Sequence, residues 1–240
     1  MSTGKQKLYT YGCSFTYGQG LPDCIDLSQD FGPSKFAWPH LVSQKLNIAY
    51  KNYSDPGCTC QEVTRRFLYH SKDFNANDIV VIVWPYFHRY LIPFEPHIDR
   101  AWKYTVLGTD YENPFTGKMI SIQDFYDNYS NPVFHLEEFL KHSKLVHDTC
   151  KSLGVHLINY IFDSDDKREF MSIKSEALYH WYDVNIERSF FDLQECLHNR
   201  YNKVSSRPFE ILDCGHYGHP QHEYWAEKVS RLLRRRDIIE

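Results

Sequence analysis

The sequence predicts an α/β protein: a doubly wound, parallel β-sheet covered by helices on both faces, which makes a three-layer α/β/α sandwich of the flavodoxin-like type. Short strand-like runs alternate with amphipathic runs along the 240 residues, as parallel sheets with crossover helices require. The run 79–84 is apolar throughout, which is typical of a strand covered on both faces. A turn rich in glycine follows the first predicted strand, where open α/β sheets place their reactive groups.

The first half of the chain alternates strands with helices. Residues 7–11 contain a leucine and two tyrosines and no breaker, which favours a strand. The segment 36–46 is a predicted helix, because Trp38 and Val42 fall on one face and Pro39 is tolerated in its first turn. The same criteria predict a strand, a helix and a strand next, over residues 48–53, 59–71 and 78–84.

The second half opens with residues 85–133, which are rich in aromatic residues and show no regular periodicity. Such a long loop usually carries function or small elements of its own, so we expect an insertion over the strand ends, able to act as a lid, within one domain spanning 1–240. A long helix and a buried strand are then expected over residues 134–153 and 155–162. The remaining predicted elements are helical pieces around 174–182 and 187–198, a short strand over 209–212 and a last helix over 222–236.

Composition excludes several classes of protein. The net charge of −4 argues against a nucleic-acid-binding protein, which is usually basic. The odd number of cysteines, seven, and the absence of an apolar leader after Met1 predict free thiols in a cytoplasmic protein without a signal peptide. No apolar run is long enough to span a bilayer, and no cofactor is expected.

Two short motifs could carry chemistry. Ser14 follows the first predicted strand, and its alternative roles are to cap the next helix or to fill a turn. Asp213 and His216 follow the predicted strand 209–212, and an aspartate can orient a histidine three residues away across a turn. Because the carboxyl ends of parallel strands share one edge of a sheet, we expect Ser14 and His216 to meet there. A serine hydroxyl needs such a base to become a nucleophile.

These motifs resemble those of the SGNH (GDSL-like) hydrolases. The run Gly12-Cys13-Ser14-Phe15 resembles the first block of that family, with cysteine in place of the acid, and Gly57 resembles the glycine of its second block. Asp213 and His216, followed by a helix with a second histidine and an alanine, His222 and Ala226, resemble its last block. The form Gly-Cys-Ser-Phe-Thr followed by Ala-Trp-Pro resembles phage and marine-virus members, which would place the protein in a host cytoplasm.

The resemblance implies a serine esterase that forms an acyl-enzyme on Ser14, with His216 as base and Asp213 as its partner. The amides of Ser14 and Gly57 would hold the oxyanion, and the substrate would be a small-molecule or glycan ester, such as an acetylated carbohydrate. One block departs from the pattern, since no asparagine follows the third predicted strand. Four nearby residues are candidates to replace it or to contact substrate: Gln61, Trp84, His88 and Arg89.

Other interpretations stay open at this point. The missing asparagine favours a catalytically weak or inactive module of the same fold that binds a glycan or a protein partner. An acyltransferase would run the same covalent step with an acceptor other than water. The spacing of His216, His219 and His222 could hold a metal, although Pro220 and two glycines are expected to break a helix before His222. Cys13 could replace Ser14 as nucleophile, and Cys58 and Cys60 could pair, bind a metal or pack as small buried residues.

Overall fold

A computed structural model of the chain describes residues 6–24, 32–87, 89–91, 104–105, 111–112, 119–121, 132–162, 168, 172–173, 190–192, 210–212, 215–236 and 238–239. The strands are β1 Lys7–Tyr11, β2 Ala49–Asn52, β3 Ile79–Trp84, β4 Tyr90–Leu91, β5 Tyr104–Thr105, β6 Tyr111–Glu112, β7 Met119–Ile120, β8 His156–Ile161 and β9 Phe190–Asp192. The helices are α1 Ser14–Tyr17, α2 Trp38–Leu46, α3 Cys60–Ser71, α4 Pro132–Leu153 and α5 His219–Arg235.

The central sheet has five strands in the order β2-β1-β3-β8-β9. Every neighbouring pair is parallel, with Tyr9 opposite Val80 and Val81 opposite Ile158. The order runs outward in both directions from β1 and β3, so the sheet is doubly wound and the carboxyl ends of its strands lie along one edge. The predicted parallel sheet and its first four strands are confirmed.

The side chains of β3 divide the core into two layers. Val80, Ile82 and Trp84 belong to a cluster with residues of α3 and α4, such as Phe67 and Phe139. Ile79, Val81 and Val83 belong to a second cluster with residues of α2 and α5. Successive side chains of a strand point to opposite faces, so the two clusters mark helices on both faces of the sheet. The three-layer sandwich is therefore confirmed.

The predicted last strand, 209–212, is wrong. Its described residues do not join the sheet: Ile211 makes an isolated antiparallel bridge with Tyr217, and the Leu212 N–H donates to the His216 carbonyl at 2.7 Å. The backbone groups of this short run form their hydrogen bonds within a tight turn, so they do not require hydrogen bonds to a neighbouring strand. The fifth strand is instead β9, which lies inside a segment predicted as helix, 187–198. The other predicted helical piece, 174–182, lies outside the described residues.

The last helix begins earlier than expected. Helix α5 starts at His219, with Gly218 as its N-cap, so the expectation that Pro220 would break a helix before His222 is wrong. Proline is tolerated in a first turn because its missing N–H would have no intrahelical partner there. His219 and His222 consequently lie one turn apart on the same helix.

The segment between β3 and α4 contains small paired strands where the structure describes it. Strand β4 pairs antiparallel with β5, and β6 pairs antiparallel with β7. The rest of the predicted insertion, and hence its position over the strand ends, falls outside the described residues and stays a prediction. In the described part of the chain, no helix combines the length and the apolar character that crossing a membrane would need.

Two buried tryptophans differ in one hydrogen bond. Trp84 and Trp38 have no exposed surface, but the Trp84 indole N–H donates to Asn159 Oδ1 at 3.0 Å, whereas the buried Trp38 indole nitrogen has no partner among the described residues. We expect Trp84→Phe to lower the free energy of unfolding by about 1 kcal/mol more than Trp38→Phe, because only the first change orphans a buried acceptor. Urea unfolding of both variants measures this difference, and equal losses would contradict it.

Candidate active site

Ser14 lies at the carboxyl end of β1, on a turn that leads directly into α1. It is the first residue of this four-residue helix, and its side chain is half-buried. The N-cap residue is Cys13, so the interpretation of Ser14 as a helix cap is wrong. A Cβ atom on Gly12 would lie 2.5 Å from Thr16 Oγ1 and 3.0 Å from the Val83 carbonyl oxygen, so only glycine fits before Cys13.

The loop after β2 is attached to this turn by hydrogen bonds. The Asn52 side-chain amide donates to the Thr16 carbonyl at 2.8 Å, and the Asp55 N–H donates to the Gly12 carbonyl at 3.2 Å. Gly57, at the end of this loop, has a φ of +78°, a conformation that favours glycine. The loop that carries Gly57 is thus held against the turn that carries Ser14.

The segment that carries His216 packs against the same turn. The rings of Phe15 and Tyr217, the neighbours of Ser14 and His216 in the sequence, meet edge to face with centroids 5.3 Å apart. Phe15 also stacks on His222, with ring centroids 4.6 Å apart. The structure therefore joins the regions around Ser14 and His216 through this contact. Asp213 lies outside the described residues, so its pairing with His216 stays a prediction.

His222 holds these pieces together as a neutral side chain. Burial lowers its pKa from 6.5 to about 3, and the neighbouring His219 and His216 add to the effect. Its Nδ1 accepts a hydrogen bond from the Trp38 backbone N–H at 3.2 Å, and the ring also bonds the backbone of Tyr217. An accepting Nδ1 places the ring proton on Nε2. The sequence motif marked this histidine, but not its contacts with three separate segments.

The four residues predicted to replace the missing asparagine or to contact substrate lie in different surroundings. Trp84 is fully buried in the core and packs edge to face on Phe139, so its assignment as a substrate contact is wrong. Gln61 and Arg89 line one cleft between α3 and α4. His88 lies outside the described residues.

The cysteines near the turn are buried thiols. Cys13, Cys58 and Cys60 are free, which confirms the packing interpretation of the last two. Burial raises the pKa of Cys58 well above its ordinary value, with Glu62 as the next cause, so this thiol stays protonated near neutral pH. Glu62 and Asp55 both contact Arg66. Within the described ranges, no three histidine, cysteine or acidic residues converge as metal ligands.

Comparisons with known proteins find similarity at the level of structure. No protein-family model matches the chain, and no curated protein matches it by sequence. A lipolytic protein of the G-D-S-L family from Desulfitobacterium hafniense is 16% identical, with a TM-score of 0.52 over 95% of this chain and 99% of that one. An acetyl xylan esterase, Est2A, from Butyrivibrio proteoclasticus is 13% identical, with a TM-score of 0.58 over 98% of this chain and 65% of that one.

A third similar structure is a carbohydrate esterase whose active site is described as having divergent catalytic and non-catalytic binding functions. It is 11% identical, with a TM-score of 0.54 over 98% of this chain and 70% of that one. At such low identities, these likenesses show that the chain shares the fold of G-D-S-L proteins and esterases. The chain spans about two thirds of the length of Est2A.

Proposed function

We propose that this protein is a serine ester hydrolase of the SGNH (GDSL-like) type. The observation that carries the proposal is the packing of Phe15 between Tyr217 and His222, which brings the neighbour of Ser14 against the neighbour of His216. The turn lies at the carboxyl edge of a parallel sheet, the usual location of active sites in this class of fold. The esterases among its structural neighbours support the same reaction.

The proposed reaction runs through a covalent acyl-enzyme. The Ser14 Oγ attacks the ester carbonyl carbon while His216 takes the hydroxyl proton as general base. His216 then gives this proton to the leaving alcohol, and Asp213 stabilises the imidazolium that forms in between. A water molecule, activated by His216 in the same way, attacks the acyl-enzyme and releases the acid together with free Ser14.

Backbone amides would stabilise the negative charge on the carbonyl oxygen. Ser14 is the first residue of α1, so its N–H has no partner within the helix. The amide of Gly57 would be the second donor, in the loop bonded to the Gly12 carbonyl. An acetylated carbohydrate is the ester we favour, since this is the substrate class named for one structural neighbour.

A non-catalytic binding module is the second candidate function. Residues 79–87, which comprise β3 and the start of the following segment, contain no asparagine to donate to an oxyanion. The loss of one such donor costs about 3 kcal/mol of transition-state stabilisation. A site of this fold with weakened catalysis could still bind a glycan.

Labelling by a fluorophosphonate probe distinguishes the two candidates. We expect the probe to form a bond to Ser14 Oγ in the native protein, because the probe reacts with a serine that a neighbouring base activates. Intact-mass and peptide spectrometry measure the label. Ser14→Ala should abolish it, whereas Ser152→Ala, at an exposed serine of α4, should keep it. If the native protein is not labelled at Ser14, the esterase proposal is refuted and the non-catalytic binding module remains.

A further inference from the structure

A cleft outside the proposed catalytic residues lies between α3, α4 and the segment after β3. Its polar lining comes from Gln61 in the first turn of α3, Arg89 after β3, and His135, Glu138 and His142 on α4. The empty volume of the cleft, including its mouth open to solvent, is about 280 Å³, and two phenylalanine rings complete its wall. Gln61 follows Gly57 by only four positions, so the cleft starts close along the chain to the proposed oxyanion loop.

Arg89 lines this cleft and forms no ion pair with the described residues. The central carbon of its guanidinium lies over the Tyr86 ring, 4.7 Å from the ring centroid, which is a cation–π contact. Its Nη1 atom is buried and has no hydrogen-bond partner among the described residues. A guanidinium held over an aromatic ring can still donate through its N–H groups, whose planar fork suits the two oxygens of a carboxylate.

A second buried polar atom in the cleft is also unsatisfied. The Nε2 atom of His142 has no hydrogen-bond partner in the described part of the chain. Buried polar groups are usually satisfied in native proteins, and a single ligand in the cleft could satisfy both of these atoms, since Arg89 and His142 line it together. The acidic residue of the lining does not fill this role, since Glu138 Oε1 accepts a hydrogen bond from Lys141 at 2.8 Å.

The charges around the cleft favour a ligand with one negative charge. Burial lowers the pKa of His135 and of His142, so both rings are neutral near pH 7. Lys141 pairs with both Glu138 and Glu137, so these three side chains together carry one negative charge. Among the residues that line the cleft, Arg89 is the one positively charged side chain, and a single guanidinium matches a carboxylate better than a phosphate dianion.

We propose that this cleft binds a carboxylate group carried by the substrate, held by the in-plane N–H groups of Arg89 and by Gln61 and His142. The inference rests on the proposed function, because it makes the preferred ester one of an acidic compound, such as an acetylated sugar acid. Protonation of His135 or His142 would add positive charge, so binding should tighten as the pH falls below 6.5, the ordinary value from which burial lowers the pKa of both rings.

Calorimetric titration tests the cleft without any turnover. Sodium benzoate, benzamide and inorganic phosphate are titrated into the native protein and into Arg89→Gln, with Arg65→Gln as the control at an exposed arginine of α3. We expect benzoate to bind more tightly than benzamide and phosphate, and Arg89→Gln to weaken benzoate by about tenfold, as loss of a charged hydrogen bond does. Arg65→Gln should bind like the native protein.

Three results would overturn the proposal: no binding of benzoate, equal affinity for benzoate and benzamide, or equal affinity of the native protein and Arg89→Gln. Tighter binding of phosphate than of benzoate would overturn the choice of a single negative charge. If Arg89→Gln is unfolded by circular dichroism, Arg89→Lys decides instead. A lysine keeps the charge but lacks the planar fork, so benzoate should bind several-fold more weakly, and unchanged affinity would contradict the assigned geometry.

A kinetic comparison separates failure of this inference from failure of the proposed function. The substrates are 3-acetoxybenzoate and its neutral analogue 3-acetoxybenzamide. Arg89→Gln should lower the ratio of kcat/KM for the acidic ester to kcat/KM for the neutral ester about tenfold. Equal ratios in both proteins would refute the cleft as a substrate site, although the esterase would stand. If neither ester is hydrolysed, the proposed esterase function is refuted. The benzoate titration then still tests whether the cleft binds a carboxylate.

Discussion

Replacing Ser14 by alanine is expected to lower kcat/KM for p-nitrophenyl acetate by about a thousandfold or more. The change removes the oxygen that forms the acyl-enzyme, while the amides of residues 14 and 57 remain as oxyanion donors. Because the serine and histidine of such a site act as one unit, His216→Ala should cause a similar loss, and the double variant should be no slower than the single ones. Steady-state hydrolysis, corrected for the rate without protein, measures all three.

The control for this experiment is Ser152→Ala, which removes a hydroxyl from the exposed face of α4 and should leave the rate unchanged. Circular dichroism of each variant shows whether a lower rate reflects lost chemistry or lost structure. Equal rates for the native protein and Ser14→Ala would end the proposal of a serine esterase. A native protein that is slow with water but fast with an added alcohol acceptor would indicate an acyltransferase.

Acidification from pH 7.5 to 4.5 is expected to cost the native state about 2.5 kcal/mol through His222 alone. In the unfolded chain this histidine takes up a proton near its ordinary pKa of 6.5, whereas burial lowers its pKa in the folded protein to about 3. The unfolded state therefore binds more protons throughout this window. The stabilisation is complete above pH 6.5 and is lost as the pH falls from there towards 3.

Urea unfolding at a series of pH values measures this loss, and His222→Asn provides the comparison. The variant should be less stable than the native protein at pH 7.5. Because asparagine carries no titrating group, its loss of stability between pH 7.5 and 4.5 should be about 2.5 kcal/mol smaller than that of the native protein. His147→Asn, at an exposed histidine of α4, should keep the pH dependence of the native protein. Identical pH dependence of the native protein and His222→Asn would show that His222 does not titrate as its burial requires.

The parts of the fold that the sequence predicted correctly are those with a strong local pattern. Strand β3 is apolar at every position, and α3 has a threonine N-cap whose side chain accepts from the Glu62 N–H, so both begin within one residue of their predicted positions. The region after β8 lacks such patterns. The three residues of β9 give no periodicity to read, and Ile211 looks like a strand residue although it only bridges to Tyr217. Tertiary pairing decides both cases.

In the candidate site, too, local features could be predicted from the sequence and tertiary contacts could not. The location of Ser14 after β1 could be predicted, because a glycine turn at the end of a strand is a local feature. The contacts of Phe15 with Tyr217 and His222 could not, since they join residues about 200 positions apart that no short motif connects. The sequence named Gln61 and Arg89 as candidate substrate contacts, but it could not predict that they share a cleft with His135 and His142, because the lining comes from three elements.

The strand order also has a consequence for self-association. Among the described strands, β2 ends the sheet on one side and pairs only with β1, so its outward backbone groups could template pairing with a strand of another polypeptide. This strand is four residues long, and Lys51 is exposed within it. Short edge strands that carry a lysine are a common way to prevent edge-to-edge aggregation. Here they would disfavour the addition of a further strand next to β2.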